Sequence, residues 1–188
     1  MTTRIDTAAC EPHPTAPRDA RYTDRTMPLA TVRTLAAGAH VGDLVFIRVP
    51  AGAPDATAGS AGTWTNRFGI VVDTSGDEPL IAEPTVFAWT KLTPLSRFVA
   101  RTDGGRIALA RRVAAASADA QRRIHALAEQ RIDALLGSRF NLRARRGFCA
   151  QYVTDVLGAG HAATPSALLR GGTLALEFDG IVFDPRHP

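Results

Sequence analysis

Apolar positions in this chain form short β-branched and aromatic runs up to about residue 111, then change to helical spacing. The first strong run, Asp43-Leu44-Val45-Phe46-Ile47-Arg48-Val49, is bounded by Gly42 and Pro50 and predicts a largely buried strand. Residues 51–63 are nearly all Ala, Gly, Ser, Thr, Pro and Asp, with little to bury, so they predict a flexible connection. Phe68-Gly69-Ile70-Val71-Val72 predicts a second strand, ended by the turn chemistry of Asp73 to Asp77. Leu80 to Glu83 and Val86 to Thr90 predict two short strands around Pro84, and Pro94 to Val99 a helical turn. Gly104-Gly105 opens a further strand, Arg106 to Arg111. Ser117 is a good N-cap with Asp119 in the first turn. Ile124, Leu127, Ala128, Ile132 and Leu135 then form one apolar stripe that stops at Gly137, which predicts a helix packed on the sheet. After a loop from Asn141 to Gly147, Phe148, Tyr152, Val153 and Val156 recur at helical spacing up to Gly158. Ser166 to Leu169 reads as a helical turn, and Leu174 to Phe178 with Ile181 to Phe183 as a hairpin across Asp179-Gly180. The order, strands and then helices, predicts an α+β domain on a curled antiparallel sheet.

Composition narrows the class. The 188 residues, 45% of them hydrophobic, suffice for one domain with its own core. The first 28 residues carry Pro12, Pro14, Pro17 and Pro28 among scattered charges, and predict a disordered leader before a single domain over 29–188. No stretch has the roughly 20 apolar residues of a membrane span, nor a signal-peptide core, so the expectation is no integral membrane segment. The net charge of +4 is almost entirely arginine, Lys91 being the lone lysine, and it lacks the aromatic interleaving of an RNA platform; no nucleic acid partner is expected. Cys10 and Cys149 lie in unlike surroundings, which argues against a disulfide and for a reducing, cytoplasmic setting. No pair of Cys or His has metal-ligand spacing, Gly104-Gly105 and Gly171-Gly172 read as turns, and no metal or cofactor is expected. Oligomeric state leaves no mark on the sequence.

Cys149 is the residue with most chemical promise. It stands where the arginine-rich loop with Arg143, Arg145 and Arg146 turns into a helix, so the helix dipole and the guanidinium charges both favour a thiolate. The competing use of such a cysteine is as a small buried apolar side chain.

Four blocks add to this reading: Gly42 to Phe46, Trp64-Thr65-Asn66-Arg67-Phe68-Gly69-Ile70-Val71, Ala82-Glu83-Pro84-Thr85, and Arg146-Gly147-Phe148-Cys149-Ala150-Gln151-Tyr152-Val153. In this order the chain resembles the YiiX/YebB branch of the permuted, NlpC-type papain-like cysteine hydrolases, from about Val41 to Leu157. The resemblance implies the permuted papain-like fold, with Cys149 as nucleophile, a base at position 67, immediately before an apolar residue and Gly69-Ile70, and Glu83 at the acidic position that orients the base. It also implies a small-molecule, peptide or lipid substrate with an amide or ester bond. Trp64 and Asn66, beside the base position, become candidate groove residues. The family's histidine is replaced by Arg67, which stays protonated and cannot act as a general base. Its charge could still lower the pKa of a nearby thiol by about 1–3 units, and an ion pair with Glu83 is the plainer expectation. His40, His125 and His161 are poorly placed substitutes, while His13 and His187 belong to the chain ends. Two functions stay open: a thiol hydrolase or acyltransferase that uses Cys149 on an amide or ester bond, with full or impaired catalysis, or a non-catalytic relative that binds a peptide, lipid or cell-wall fragment. Both expect Cys149 and Arg67 to face each other across one cleft.

Overall fold

The computed structural model describes residues 29–50, 64–85, 88–137, 145–160 and 163–181. The expected leader, the connection 51–63, Val86 and Phe87 lie outside the described residues. Helix α1 (Leu29–Gly38) leads into β1 (Leu44–Ile47), β2 (Arg67–Asp73), β3 (Leu80–Pro84) and β4 (Thr90–Pro94). Then come α2 (Leu95–Val99), a 3-10 turn (Asp103–Gly105), β5 (Arg106–Arg112), α3 (Ala118–Leu136), α4 (Phe148–Asp155), α5 (Pro165–Arg170) and β6 (Leu174–Ile181). The strands form one open sheet in the order β4-β3-β2-β1-β5-β6. Every neighbouring pair is antiparallel, as the α+β reading requires.

Both faces of the sheet are covered, which explains why β1 is an unbroken apolar run rather than an alternating one. Leu44, Phe46, Ile70, Ala82 and Ala108 point to one side, against Ile132 and Leu135 of α3, Phe148, Cys149, Tyr152 and Val153 of α4, and Leu168 of α5. Val45, Ile47, Val71, Ile81 and Ile107 point to the other, against Leu35 of α1 and Leu95, Phe98 and Val99 of α2. On that second side the sheet and α2 approach so closely that a Cβ on Gly69 would lie 2.3 Å from Ile81 Cγ2 and 3.1 Å from the Phe98 ring.

The long helix begins as its sequence predicts: Ser117 is extended and its hydroxyl accepts from the Ala120 N–H. Ser117→Ala is expected to destabilise the fold by about 1 kcal/mol, the usual worth of such a cap, as a lowered urea midpoint with unchanged slope.

Three elements depart from the sequence reading. Helix α1 had no expected counterpart, because Leu29–Gly38 has no acidic first turn or basic last turn and is held through tertiary contacts such as that of Leu35. The strand expected over 86–90 runs instead from Thr90 to Pro94, with Lys91 exposed as suits a sheet edge. The hairpin at Asp179-Gly180 does not form. Asp179 pairs with Ala108 and Gly180 with Ile107 inside a continuous β6, and Arg106 binds the Asp179 carboxylate with two bonds of 3.0 and 2.9 Å. Pairing along the whole of β5 outweighs a two-residue turn.

Candidate active site around Cys149

The start of α4 is pinned by the segment before β4. Gly147, at φ 74°, is the N-cap residue, a backbone state that glycine adopts without strain. Its N–H donates to the Ala88 carbonyl (2.7 Å), and Arg146 forms a β-bridge with Trp89. Cys149 is therefore the second helical residue, on the face turned to the sheet.

That position seals the thiol. Cys149 is 3% exposed; its Sγ donates to the Ala82 carbonyl at 3.7 Å and lies 3.8 Å from Thr90 Oγ1. Burial pushes its pKa up to about 12; Thr90 opposes this, Glu83 adds to it, and Arg67 and the helix-start N–H pull only partly back. The thiolate environment expected from the sequence is thus absent. The helix end is present, but desolvation of the anion exceeds what it and the nearby charges return. Arg145 and Arg146 do not act on the sulfur, and Arg143 lies outside the described residues. At pH 7 the thiol is therefore held in its neutral form.

Arg67 and Glu83 do form the anticipated ion pair. The Arg67 Nη2 lies 2.5 Å and its Nε 3.1 Å from Glu83 Oε2, and Nη2 also donates to the Pro84 carbonyl at 3.2 Å. Glu83, fully buried, accepts further from Arg101 (2.6 Å) and from the Thr93 hydroxyl (2.5 Å). Burial alone would raise the Glu83 pKa; the bonds from Thr93, Arg101 and Arg67 outweigh it and leave the carboxylate below its ordinary range. Burial draws Arg67 down from its ordinary value, against the pull of Glu83.

The expected cleft between Arg67 and Cys149 does not exist, because strand alternation puts the two on opposite faces of the sheet. Arg67 pairs with Ile47 and Phe68 with Phe46; Ile47 belongs to the α2 side, and Phe46 to the α4 side. Arg67 therefore projects with Gly69 and Val71 toward α2, and Phe68 is what β2 presents toward α4. Glu83 follows Ile81 and Thr93 onto the α2 side, whereas Ala82 faces Cys149. The pair acts on the sulfur only as two opposed charges.

The other expected site residues make contacts within the fold. Asn66, 4% exposed, clamps Val49: Oδ1 accepts its N–H (2.8 Å) and Nδ2 donates to its carbonyl (2.9 Å). Trp64 packs against the α4-side core under the Arg106 guanidinium, 4.3 Å from the ring centre. His125 is exposed and pairs with Glu129 at 3.2 Å, and the His40 N–H donates to Asp43; neither is among the groups acting on Cys149. His13, His161 and His187 lie outside the described residues. Thr90, Thr93 and Arg101 were not foreseen. Among the described residues no cluster of His, Cys, Asp or Glu could hold a metal ion, and no helix is long and apolar enough to cross a membrane.

Strands β1 to β5 of the open antiparallel sheet precede, in the chain, the helix that carries Cys149 and packs on the sheet, the arrangement of a permuted papain-like fold. The family model described as permuted papain-like amidase enzyme, YaeF/YiiX, C92 family, matches residues 38–170, and the chain belongs to that family. No curated protein matches the sequence significantly. The family's chemistry is amide hydrolysis.

Proposed function

We propose that this chain is a family member in which hydrolysis at Cys149 has been silenced and the amidase scaffold is retained for binding. The observation that carries this reading is the sealed, neutral thiol, with a pKa pushed up to about 12 and with Thr90 and a backbone carbonyl as its polar neighbours. A nucleophile needs a thiolate or a base within reach to make one. Neither is found among the described residues, and the cation at the family's base position is committed to Glu83 on the far side of the sheet.

The test compares the parent with Cys149→Ala, both carrying Cys10→Ser, on a panel of activated esters and amides. Equal background turnover is expected, with thiol-probe labelling of folded parent below about 1% of the urea-unfolded control, since reactivity follows the thiolate fraction. Arg67→His is expected to leave labelling unchanged, because the imidazole would project toward α2. A gain in labelling in Arg67→His protein that circular dichroism shows to be folded would overturn the assignment of faces. Turnover lost in Cys149→Ala would favour the second reading, an active amide hydrolase, for which family membership itself speaks.

A further inference from the structure

Toward the C-terminal end of α4, away from Cys149, a cleft of about 230 Å³ opens between α3, the turn before β1 and the end of β5. Its walls join an apolar patch of Val41, Ile124, Ala128 and Val156 to the polar groups of Arg112 and Tyr152. Val41 is 47% exposed.

The charges of this cleft do not balance. Arg111 is matched by carboxylates: it binds Asp43 through Nε and Nη2 at 2.9 and 2.8 Å and lies 3.6 Å from Glu177, which together raise its pKa despite some burial. Asp43 is in turn satisfied, accepting also from the His40 N–H at 2.8 Å. His125 has Glu129 as its partner. Arg112 has neutral oxygens only: Nε donates to the Val156 carbonyl and Nη1 to the Val113 carbonyl and Gln121 Oε1, each at 3.1 Å. Among the described residues no carboxylate answers its charge and its Nη2 has no partner. Beside it the Tyr152 hydroxyl reaches the Gly42 carbonyl only at 3.5 Å. Its pKa, raised by burial to about 12, keeps it a neutral donor. A guanidinium offers five N–H donors in a planar fork suited to a carboxylate.

We propose that this cleft binds a small organic carboxylate, its charge on Arg112 and the Tyr152 hydroxyl and its apolar part on Val41, Ile124, Ala128 and Val156. One unanswered positive charge fits a monoanion better than a phosphate dianion. A cleft of about 230 Å³ lies below the usual range for drug-sized ligands, so the ligand is small. The residues that bond Cys149, Ala82 and Thr90, take no part in this wall, and the proposal stands whether or not the thiol is silent.

The experiment titrates the full chain with hexanoate and benzoate, with the matched neutral amides, and with inorganic phosphate, read by calorimetry and by backbone amide shifts. Saturable binding of a carboxylate is expected, with shifts at Val41, Ile124 and Ala128, and about tenfold or more weaker binding of its amide. Arg112→Gln is expected to lose at least about tenfold in affinity, Ala128→Phe to block the cleft with the guanidinium intact, and Cys149→Ala to bind like the parent. No saturable binding of either carboxylate overturns the proposal, as does equal binding of the amide, preference for phosphate, or unchanged affinity in Arg112→Gln. If circular dichroism shows Arg112→Gln unfolded, Ala128→Phe decides: retained binding there rejects the site, and loss supports it.

Discussion

Glu83→Ala is expected to destabilise the protein by about 3–5 kcal/mol, the range found when one partner of a buried ion pair is removed. The carboxylate is fully buried and answers two guanidiniums and a hydroxyl. Without it Arg67, 2% exposed, keeps its charge in the interior with the Pro84 carbonyl as a remaining acceptor. Against a typical total stability of about 5–15 kcal/mol, such a loss leaves a marginal protein. Urea unfolding followed by tryptophan fluorescence measures it, and a change under about 1 kcal/mol would mean that the network is not what holds β2, β3 and α2 together. Two companion variants separate charge from packing. Arg101→Met should cost much less, because Arg101 is partly exposed and Arg67 remains to answer Glu83. The double variant Arg67→Met with Glu83→Leu should be milder than Glu83→Ala alone, since it removes both ends of the pair instead of stranding one. Should Glu83→Ala yield no soluble protein, the double variant still decides: if it is soluble, the stranded charge is the cause.

The strands were legible because their residues leave little choice. Leu44 to Ile47 has no polar position to turn to water, and Phe68 to Val72 ends in a run of turn residues, so both were located within a residue or two. The pairing of Arg67 with Glu83 came from the family resemblance, which set the two at neighbouring positions of one site, where opposite charges meet. What it could not convey was the face. The order of the motif blocks puts Arg67 and Cys149 in the right elements, but a strand that is apolar on both sides has no alternation from which to read which neighbour looks toward α4. Only the register, with Phe68 opposite Phe46 and Arg67 opposite Ile47, settles that. Burial of the sulfur was one of two readings that the sequence left open. A helix start with arginines nearby reads as a thiolate environment in one dimension, and the depth that reverses it comes from Ala82 and Thr90, roughly 60 to 70 residues earlier in the chain.

Alkaline pH should expose that depth as instability. In the unfolded chain a thiol ionises near pH 9, whereas Cys149 in the fold holds its proton to about pH 12, and Tyr152, ordinarily near 10, also to about 12. Between these limits the folded state binds more protons than the unfolded one, so stability falls as pH rises. Each group contributes a slope of up to about 1.4 kcal/mol per pH unit, Cys149 from about pH 9 and Tyr152 from about pH 10. Denaturant midpoints of the parent and Cys149→Ala, both with Cys10→Ser, should therefore converge with pH. The alanine variant starts lower at pH 7 because of its small cavity, and the gap closes, then inverts, by about 2–3 kcal/mol in total between pH 9 and 11. An activated nucleophile gives the opposite sign. A thiol with a depressed pKa would make the parent gain stability from that lower pKa up to about pH 9 and stay level above it, so that its curve never falls toward the variant's. Parallel curves above pH 9 would mean that the Cys149 pKa in the fold is ordinary or depressed rather than raised, and the case for a silenced site would fall with them.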